Sequence, residues 1–207
     1  MARALQRWEE NLTQAKAYLE SRAISGETAK AFNLGVVGFD DQGYERYAGR
    51  LAIPYLDRKG PVGFTFRCMA DHNCKAESCP KYLQLEGQEV GFWNICALVD
   101  SDSAVAHITE GEIDGLTLTQ VVGDEPVGAL AGVSKWRPYF PFVLNGFERV
   151  VLWSDPDDAG EKMRAKFKAH VPNADIVQMP PPNDVNSLLV AQGPDVLRAL
   201  YQEEEES

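Results

Sequence analysis

The sequence predicts an α/β protein in which a mainly parallel, four-stranded sheet flanked by helices follows a smaller α+β region. Three observations predict this fold class. Apolar residues make up 44% of the 207 residues and aromatic residues 10%, which is typical of a globular chain with a real core. The first half contains a hairpin pattern after short helical stretches. From Ala104 onward, strand-like and helix-like segments alternate.

The first half of the chain is predicted to contain helices, a hairpin and an irregular loop, in that order. Apolar residues at helical spacing predict the first helix, and a serine before a short helical stretch predicts the second. Two apolar runs around an Asp-Arg-Lys-Gly turn predict the hairpin. The predicted elements are a helix at 4–20, a helix from Ser25 to Phe32, strands Leu51–Tyr55 and Val62–Arg67, and the loop 68–79.

The second half alternates between short apolar runs and longer amphipathic stretches. Strands separated by helices require crossover connections, so we expect their sheet to be mainly parallel. The predicted strands are 104–109, 126–132, 149–154 and 174–180, and the predicted helices are 111–122, 158–171, 184–193 and 194–204, with a helical or irregular stretch at 136–146.

A change in composition near Val99–Ser103 predicts a boundary between two domains. The formal net charge of the chain is −11, of which residues 1–100 contribute −1 and residues 101–207 contribute −10. We therefore expect an N-terminal subdomain at 1–100, a second domain at 101–200 and an acidic tail at 201–207. Net charge alone does not exclude nucleic acid as a partner, because the first half could present a local basic surface.

No apolar run approaches the roughly 20 residues that a membrane-spanning helix needs. The N-terminal stretch MARALQRWEENLTQ is charged and amphipathic, unlike a secretory signal peptide. We therefore expect a cytoplasmic protein with no membrane partner.

Acidic residues follow three of the predicted strands. Glu110 ends the first strand in ITEGEIDG, which also contains Asp114, and WSDPDDAG places Asp155 and Asp157 directly after the third. Asp184 follows the fourth strand. Functional groups of α/β sheets gather at the carboxyl ends of the strands, and carboxylates are the ligands that Mg²⁺ and Mn²⁺ prefer. The pattern predicts a divalent metal site.

A purely structural interpretation is also open for each motif alone. Acids in the first turn of a helix interact favourably with the helix dipole, which by itself would explain Glu112, Asp158 and Asp184. A single helix does not need two caps, however, so the Asp-X-Asp pair after one strand favours the metal interpretation.

The two motifs ITEGEIDGLTLTQ and DPDDAGEKM resemble the TOPRIM domain, which DnaG-type primases, topoisomerases and some nucleases share. They are particularly similar to the primase versions. The resemblance implies that Glu110, Asp155 and Asp157 are catalytic and bind Mg²⁺ or Mn²⁺, with Asp114 and Asp184 as further metal ligands. NDVNSLL resembles the primase segment that closes the metal site, except that Asn186 stands where that segment has a second Asp.

The resemblance extends into the first half and covers roughly residues 17–200. The stretches YLESRAISGETAKAFNLGVV, GRLAIPYLDRKGPVGFTFR and PKYLQLEG are similar, in the same order, to the N-terminal subdomain of the primase core. There it implies that Arg50, Arg67 and Lys81 bind the template strand and nucleotides. Segments similar to the separate zinc module and the helicase-docking domain of cellular primases are missing, so the chain resembles a bacteriophage replication protein.

The segment FRCMADHNCKAESCPKY brings four metal-binding residues within twelve positions, namely Cys68, His72, Cys74 and Cys79. Their thiolates and imidazole could close a tetrahedral Zn²⁺ site. The spacing departs from the CxxC pairs of ordinary zinc ribbons, and free thiols in a surface loop are the alternative. A disulfide is not expected in a cytoplasmic protein.

The resemblance implies a phage-type DNA primase core that makes short RNA primers on single-stranded DNA from nucleoside triphosphates, with a replicative helicase as a possible partner. Two alternatives stay open. One is a metal-dependent TOPRIM nuclease that cuts DNA, and the other is a non-catalytic nucleic-acid-binding protein that combines zinc with a TOPRIM domain.

Overall fold

The computed structural model describes residues 1–88 and 91–205. The chain divides into two compact units, Met1–Val90 and Gly91–Ser207. Residues 91–99 therefore group with the second unit, and the predicted domain boundary at 100–101 stays a prediction. Within the described part of the chain, none of the helices combines the length and apolar character that crossing a lipid bilayer demands.

The first unit is a four-stranded antiparallel sheet with three short helices. Its strands are ordered β1-β2-β3-β4, and β2 and β3 form the predicted hairpin. The elements are α1 (Ala2–Glu10), a 3₁₀ turn (Leu12–Ala15), α2 (Lys16–Ser21), α3 (Gly26–Ala31), β1 (Gly35–Val36), a 3₁₀ turn (Glu45–Tyr47), β2 (Leu51–Asp57), β3 (Gly60–Arg67) and β4 (Tyr82–Gln84).

The prediction of one continuous helix at 4–20 was wrong. The helix ends at Asn11, whose side-chain Nδ2 donates to the carbonyl oxygen of Val36 at 3.4 Å. Asparagine favours such local alternatives over a helix interior, because its side chain competes for backbone groups. The chain therefore turns through a 3₁₀ segment before α2 begins.

Trp8 is the centre of the first core. Its side chain is fully buried and makes edge-to-face contacts with Tyr44, Phe64 and Phe66, at ring centroid separations of 4.8, 4.9 and 5.7 Å. Its indole Nε1 donates to Asp41 Oδ2 at 2.5 Å, so the polar atom of the ring is paired as well. Aromatic pairs of this geometry contribute about 0.5–1.5 kcal/mol beyond their burial.

The second unit is a four-stranded parallel sheet ordered β6-β5-β7-β8, with helices on both faces. The predicted α/β fold class, with its smaller preceding subdomain, is confirmed. The elements are α4 (Ile95–Val99), β5 (Val105–Thr109), α5 (Glu112–Leu118), β6 (Val127–Ala129), a 3₁₀ turn (Val133–Lys135), α6 (Phe140–Leu144), β7 (Arg149–Ser154), α7 (Asp158–His170), β8 (Ala174–Gln178), α8 (Val185–Gln192) and α9 (Pro194–Glu205).

Strand β7 is buried on both faces because it lies inside the sheet. Val150 and Leu152 pack into one core with α6 and α7, whereas Val151 and Trp153 pack into the other with α8 and α9. This explains why β7 is an unbroken apolar run rather than an alternating one. Helix α9 includes residues 201–205 of the predicted acidic tail, whose last two residues lie outside the described part.

Two polar contacts in the second unit join residues that are distant in sequence. The buried His107 accepts a hydrogen bond at Nδ1 from Trp153 Nε1 at 3.0 Å, so its proton lies on Nε2 and is donated to Glu125 Oε2 at 2.5 Å. The His107 hydrogen bond lowers the pKa of Glu125 below its usual value. At the edge strand β6, Trp93 forms a backbone bridge with Ala129, donating its N–H to the Ala129 oxygen at 2.8 Å.

The close approach of α1 and β1 in the first unit generates a stability prediction. A Cβ atom at Gly35 would lie 2.4 Å from the backbone carbon of Trp8, so we expect Gly35→Ala to lower the free energy of unfolding by at least about 2 kcal/mol. A Cβ at Gly26 meets nothing within 4 Å, and Gly26→Ala should stabilise α3 by up to about 1 kcal/mol. Urea unfolding followed by circular dichroism measures both. Equal stability of the two variants would contradict the packing described here.

Candidate functional site

The carboxyl ends of β5 and β7 are adjacent in the sheet and place two acidic motifs side by side. Glu110 follows β5 and is buried, with 9% of its surface exposed. Its Oε1 accepts a hydrogen bond from the backbone N–H of Asp155 at 3.0 Å, and Ser154 Oγ lies 3.3 Å from the same oxygen. The first acid of the Asp-X-Asp motif and the acid of the Glu-Gly motif are therefore in direct contact.

Burial, together with the negative charges of Asp155 and Asp157, raises the pKa of Glu110 to about 7, although hydrogen bonds from the Asp155 backbone and from Ser154 oppose the shift. A raised pKa means that the ionised carboxylate is destabilised where it stands. A bound cation would relieve both the desolvation and the repulsion. In their chemistry, the hard oxygen donors of these three acids are the kind that Mg²⁺ and Mn²⁺ prefer.

Asp157 has a local role as well. Its Oδ1 accepts hydrogen bonds from the backbone N–H groups of Ala159 at 3.0 Å and Gly160 at 2.9 Å, so it caps α7. The cap fixes where α7 begins relative to β7. Asp158 lies in the first turn of α7, where the helix dipole favours an acid, but the cap itself is Asp157.

Asp114 and Asp184 lie where α5 and α8 meet. Asp114 Oδ1 accepts a hydrogen bond from the backbone N–H of Asn186 at 2.9 Å. Asp184 is the N-cap of α8 and forms a reciprocal capping box with Ser187, whose backbone N–H donates to Asp184 Oδ1 at 2.6 Å. Their role as metal ligands stays a prediction.

Asn186 has a clear structural reason to be uncharged. Only 1% of its surface is exposed, and its Nδ2 donates to Thr117 Oγ1 at 2.7 Å. Thr117 Oγ1 in turn donates to the Ile113 carbonyl at 2.8 Å, so it can accept from the amide of Asn186. A carboxylate at position 186 could not donate this bond and would be buried beside Asp114.

Arg164 is a basic residue of this site that sequence analysis missed. Its Nη1 donates to Ser154 Oγ and to the carbonyl oxygen of Asp155, both at 2.9 Å. The side chain therefore binds the end of β7 just where the acids collect. The spacing contained a signal, because Gly160 and Arg164 are four residues apart on α7 and so share one helix face.

The cysteine segment forms a second cluster, in the first unit. The ligand atoms of Cys68, His72, Cys74 and Cys79 all lie within 4.8 Å of one another. Among the described residues this is the one such group of His, Cys, Asp and Glu side chains suited to holding a metal ion. The acids at the sheet edge do not surround a single point in this way.

The predicted nucleic-acid-binding residues have different surroundings. Arg50 donates from Nη1 to the Pro80 carbonyl at 2.7 Å and from Nη2 to Cys79 Sγ at 3.3 Å. Arg67 is only 5% exposed, and its Nε donates to Tyr18 Oη at 2.8 Å. Lys81 is exposed, with Nζ 6.0 Å from the ring centroid of Tyr82.

The burial of Arg67 between two tyrosine rings was not expected for a residue predicted to bind nucleic acid. Its guanidinium carbon lies 4.8 Å from the ring centroid of Tyr82 and 5.9 Å from that of Tyr18, and Nη1 has no hydrogen-bond partner among the described residues. Burial lowers the pKa of Arg67, but the charges and hydroxyl of the two tyrosines outweigh it, and the net shift is upward. The guanidinium is held in place rather than extended into solvent.

Comparison with known proteins identifies the family. Residues 107–189 match the family model described as Toprim-like. The chain is also 34% identical over 151 residues to Gene 57 protein of Mycobacterium phage D29, an alignment that covers 73% of this chain and 97% of the phage protein. The chain therefore belongs to the same family as Gene 57 protein, and its residues 107–189 are Toprim-like.

Solved structures of primase cores share the fold of this Toprim-like protein. The DnaG primase catalytic domain bound to single-stranded DNA superposes with a TM-score of 0.78 at 19% identity, covering 98% of this chain and 77% of that one. The RNA polymerase domain of Mycobacterium tuberculosis DnaG gives a TM-score of 0.72 at 18% identity, with coverage of 96% and 80%. The predicted resemblance to TOPRIM proteins and DnaG-type cores is confirmed at the level of fold.

The raised pKa of Glu110 predicts a stability difference that depends on pH. The folded pKa of about 7 lies above the ordinary value of 4.5, so the folded chain binds the extra proton and loses stability as pH rises between these values. Glu110→Gln cannot ionise, so above pH 7 and without divalent ions it should be more stable than the wild type, by up to about 3 kcal/mol. Urea unfolding at a series of pH values measures the gap. A gap that does not grow between these two pKa values would contradict the prediction.

Gly160 generates a second prediction at the same edge. A Cβ atom there would lie 2.1 Å from the carbonyl oxygen of Asp155 and 2.9 Å from Glu110 Oε1, so Gly160→Ala must displace both motifs. We expect a loss of about 2–4 kcal/mol in the free energy of unfolding. Gly146→Ala is the control, because its Cβ would come no closer than 3.4 Å to Val143 O, and its cost should stay below about 1 kcal/mol. Similar losses in thermal or urea unfolding would argue against the close approach of α7.

Proposed function

We propose that this protein is a phage-type DNA primase core that synthesises short RNA primers on single-stranded DNA by metal-dependent nucleotidyl transfer. The observation that carries the proposal is the buried Glu110 carboxylate, held against the Asp-X-Asp motif at the joined ends of β5 and β7. The fold shared with DnaG catalytic cores supports the same reaction class.

The proposed metal ligands are Glu110, Asp155 and Asp157, with Asp114 and Asp184 as further ligands from α5 and α8. When bound, Mg²⁺ or Mn²⁺ would neutralise the phosphate charge of a nucleoside triphosphate, favour attack of a hydroxyl on the α-phosphate and stabilise the leaving pyrophosphate. The chain itself supplies a cluster of carboxylates whose repulsion a cation relieves.

The surrounding groups keep these acids in place. The backbone N–H of Asp155 orients Glu110 Oε1, and the cap that Asp157 makes on α7 fixes the second acid of the motif. Arg164 binds the Asp155 carbonyl and so prevents the end of β7 from moving away.

The first unit would bind the template and the nucleotides. One of the DnaG structures of the same fold was solved with single-stranded DNA. We propose that Arg50 and Lys81 contact phosphate groups beside the loop between β3 and β4, and that the buried Arg67 adds positive charge to the same region. We also propose that a replicative helicase brings the protein to its template. The phage relative favours action in the cytoplasm of a host cell.

Primer synthesis on single-stranded DNA tests the proposal. The wild type with nucleoside triphosphates and Mg²⁺ or Mn²⁺ should produce short RNA, and Asp155→Asn should lower the yield at least about 100-fold, because one metal-binding carboxylate is lost. Asp158→Asn is the matched control. It removes an exposed acid from the same motif and should keep the activity.

The products also separate the alternatives. Cleaved template without new RNA would replace the primase proposal with a metal-dependent nuclease. Intact template and no RNA with either metal, from wild-type protein that binds DNA, would favour a non-catalytic nucleic-acid-binding role. Equal activity of Asp155→Asn and Asp158→Asn would remove the Asp-X-Asp motif from the mechanism.

A further inference from the structure

We propose that Cys68, His72, Cys74 and Cys79 bind one structural Zn²⁺, and that Arg50 balances the charge of this centre through its hydrogen bond to Cys79. The cluster belongs to the loop between β3 and β4 of the first unit, in the part of the chain that the Toprim-like match does not cover. The proposal does not depend on the catalytic chemistry of the acidic edge.

The distances fit a tetrahedral zinc site. In such a site, zinc–sulfur bonds of about 2.3 Å and zinc–nitrogen bonds of about 2.0 Å place two sulfurs about 3.8 Å apart, and a sulfur and a nitrogen about 3.5 Å apart. Cys79 Sγ lies 3.7 Å from Cys68 Sγ, and His72 Nε2 lies 3.6 Å from Cys68 Sγ. These two separations match a tetrahedral zinc site, and all four ligand atoms lie within 4.8 Å of one another.

The loop that carries the cluster lacks regular secondary structure. Residues 68–81 contain neither helix nor strand, and the four ligands range from buried Cys68 to exposed His72. Loops of this length without regular structure are uncommon in compact units unless something binds them. The backbone N–H of Cys68 donates to the Lys81 carbonyl at 3.0 Å, and that of Cys79 to the Cys74 carbonyl at 2.9 Å, so both ends and the ligand turn are prearranged.

Charge explains the position of Arg50. Three thiolates and one Zn²⁺ leave a net charge of −1, which is costly beside buried groups unless a cation is close. Arg50 Nη2 donates to Cys79 Sγ at 3.3 Å, while its Nη1 is held by the Pro80 carbonyl at 2.7 Å. Arg50 is thus a positioning residue of the zinc centre, whatever else its remaining N–H groups bind.

The chemical softness of the thiolate and imidazole ligands determines which metal ion the cluster prefers. Thiolates and imidazole favour Zn²⁺ and disfavour Mg²⁺, which takes oxygen ligands. The same chain would therefore hold two kinds of metal at separate places, zinc at the cysteine cluster and Mg²⁺ or Mn²⁺ at the acidic edge.

The metal content of the 207-residue chain tests the proposal. Wild-type protein is produced with added zinc and purified without chelator. Inductively coupled plasma mass spectrometry should then find one zinc ion per protein chain. Cys74→Ser should lose most of it, whereas Cys96→Ser, which removes the fourth cysteine of the chain from α4, should keep it. Protein without zinc, or zinc that survives Cys74→Ser, would overturn the assignment.

Cobalt substitution keeps the test decisive if the cysteine variant does not fold. Wild-type protein reconstituted with Co²⁺ should show thiolate-to-cobalt charge-transfer absorption and the intense visible bands of tetrahedral Co²⁺. Spectra of an octahedral ion, or no bands at all, would contradict a Cys₃His site. Primer synthesis is not measured here, so failure of the zinc proposal and failure of the primase proposal remain distinguishable.

The role of Arg50 has its own measurement. Arg50→Ala should still bind zinc but release it to a chelator several-fold faster than the wild type, and Arg50→Lys, which keeps the positive charge, should recover part of the difference. Release from Arg50→Ala at the wild-type rate would remove Arg50 from the zinc centre.

Discussion

A carboxylate buried at the end of a parallel strand governs the architecture of the second unit. Glu110 can stay there because the backbone of Asp155 donates to it and because Gly160 leaves room for it. Water would solvate the ionised carboxylate of Glu110 far better than this site does. The pKa of Glu110 is therefore raised above its ordinary value. The repulsion between the acids would favour a movement of the end of β7 away from Glu110. The Asp157 cap on α7 and the Arg164 contacts hold that strand end in place.

Much of the fold could be predicted from local pattern. The hairpin of β2 and β3 followed from two apolar runs around a turn, and the parallel sheet followed from the alternation of strands and helices. The break at Asn11 could not be predicted from helical spacing alone, because it depends on a hydrogen bond to Val36, which is distant in sequence. The pairing of Trp8 with Asp41 is hidden for the same reason.

The candidate site was predictable to a similar degree. Acids at strand ends located Glu110 and Asp155 at one edge, because parallel strands end together. The sequence did not reveal that Asp114 is tied to Asn186, or that Arg67 is buried between two tyrosine rings, since both depend on packing between elements far apart in the chain. Arg164 was missed because a lysine- and arginine-rich helix looks like an ordinary solvated surface until its register is known.

The backbone bridge between Trp93 and Ala129 determines where the second unit could be cut out of the chain without exposing a strand edge. Edge strands expose unpaired backbone groups that invite pairing with other chains, and Trp93 covers those of β6 at Ala129. The same ring packs onto α5, where a Cβ at Gly115 would lie 2.8 Å from Trp93 Cζ3. A fragment that begins at residue 101 would therefore leave the backbone of β6 at Ala129 without its Trp93 partner and would uncover α5 at Gly115, and both changes favour association with other chains.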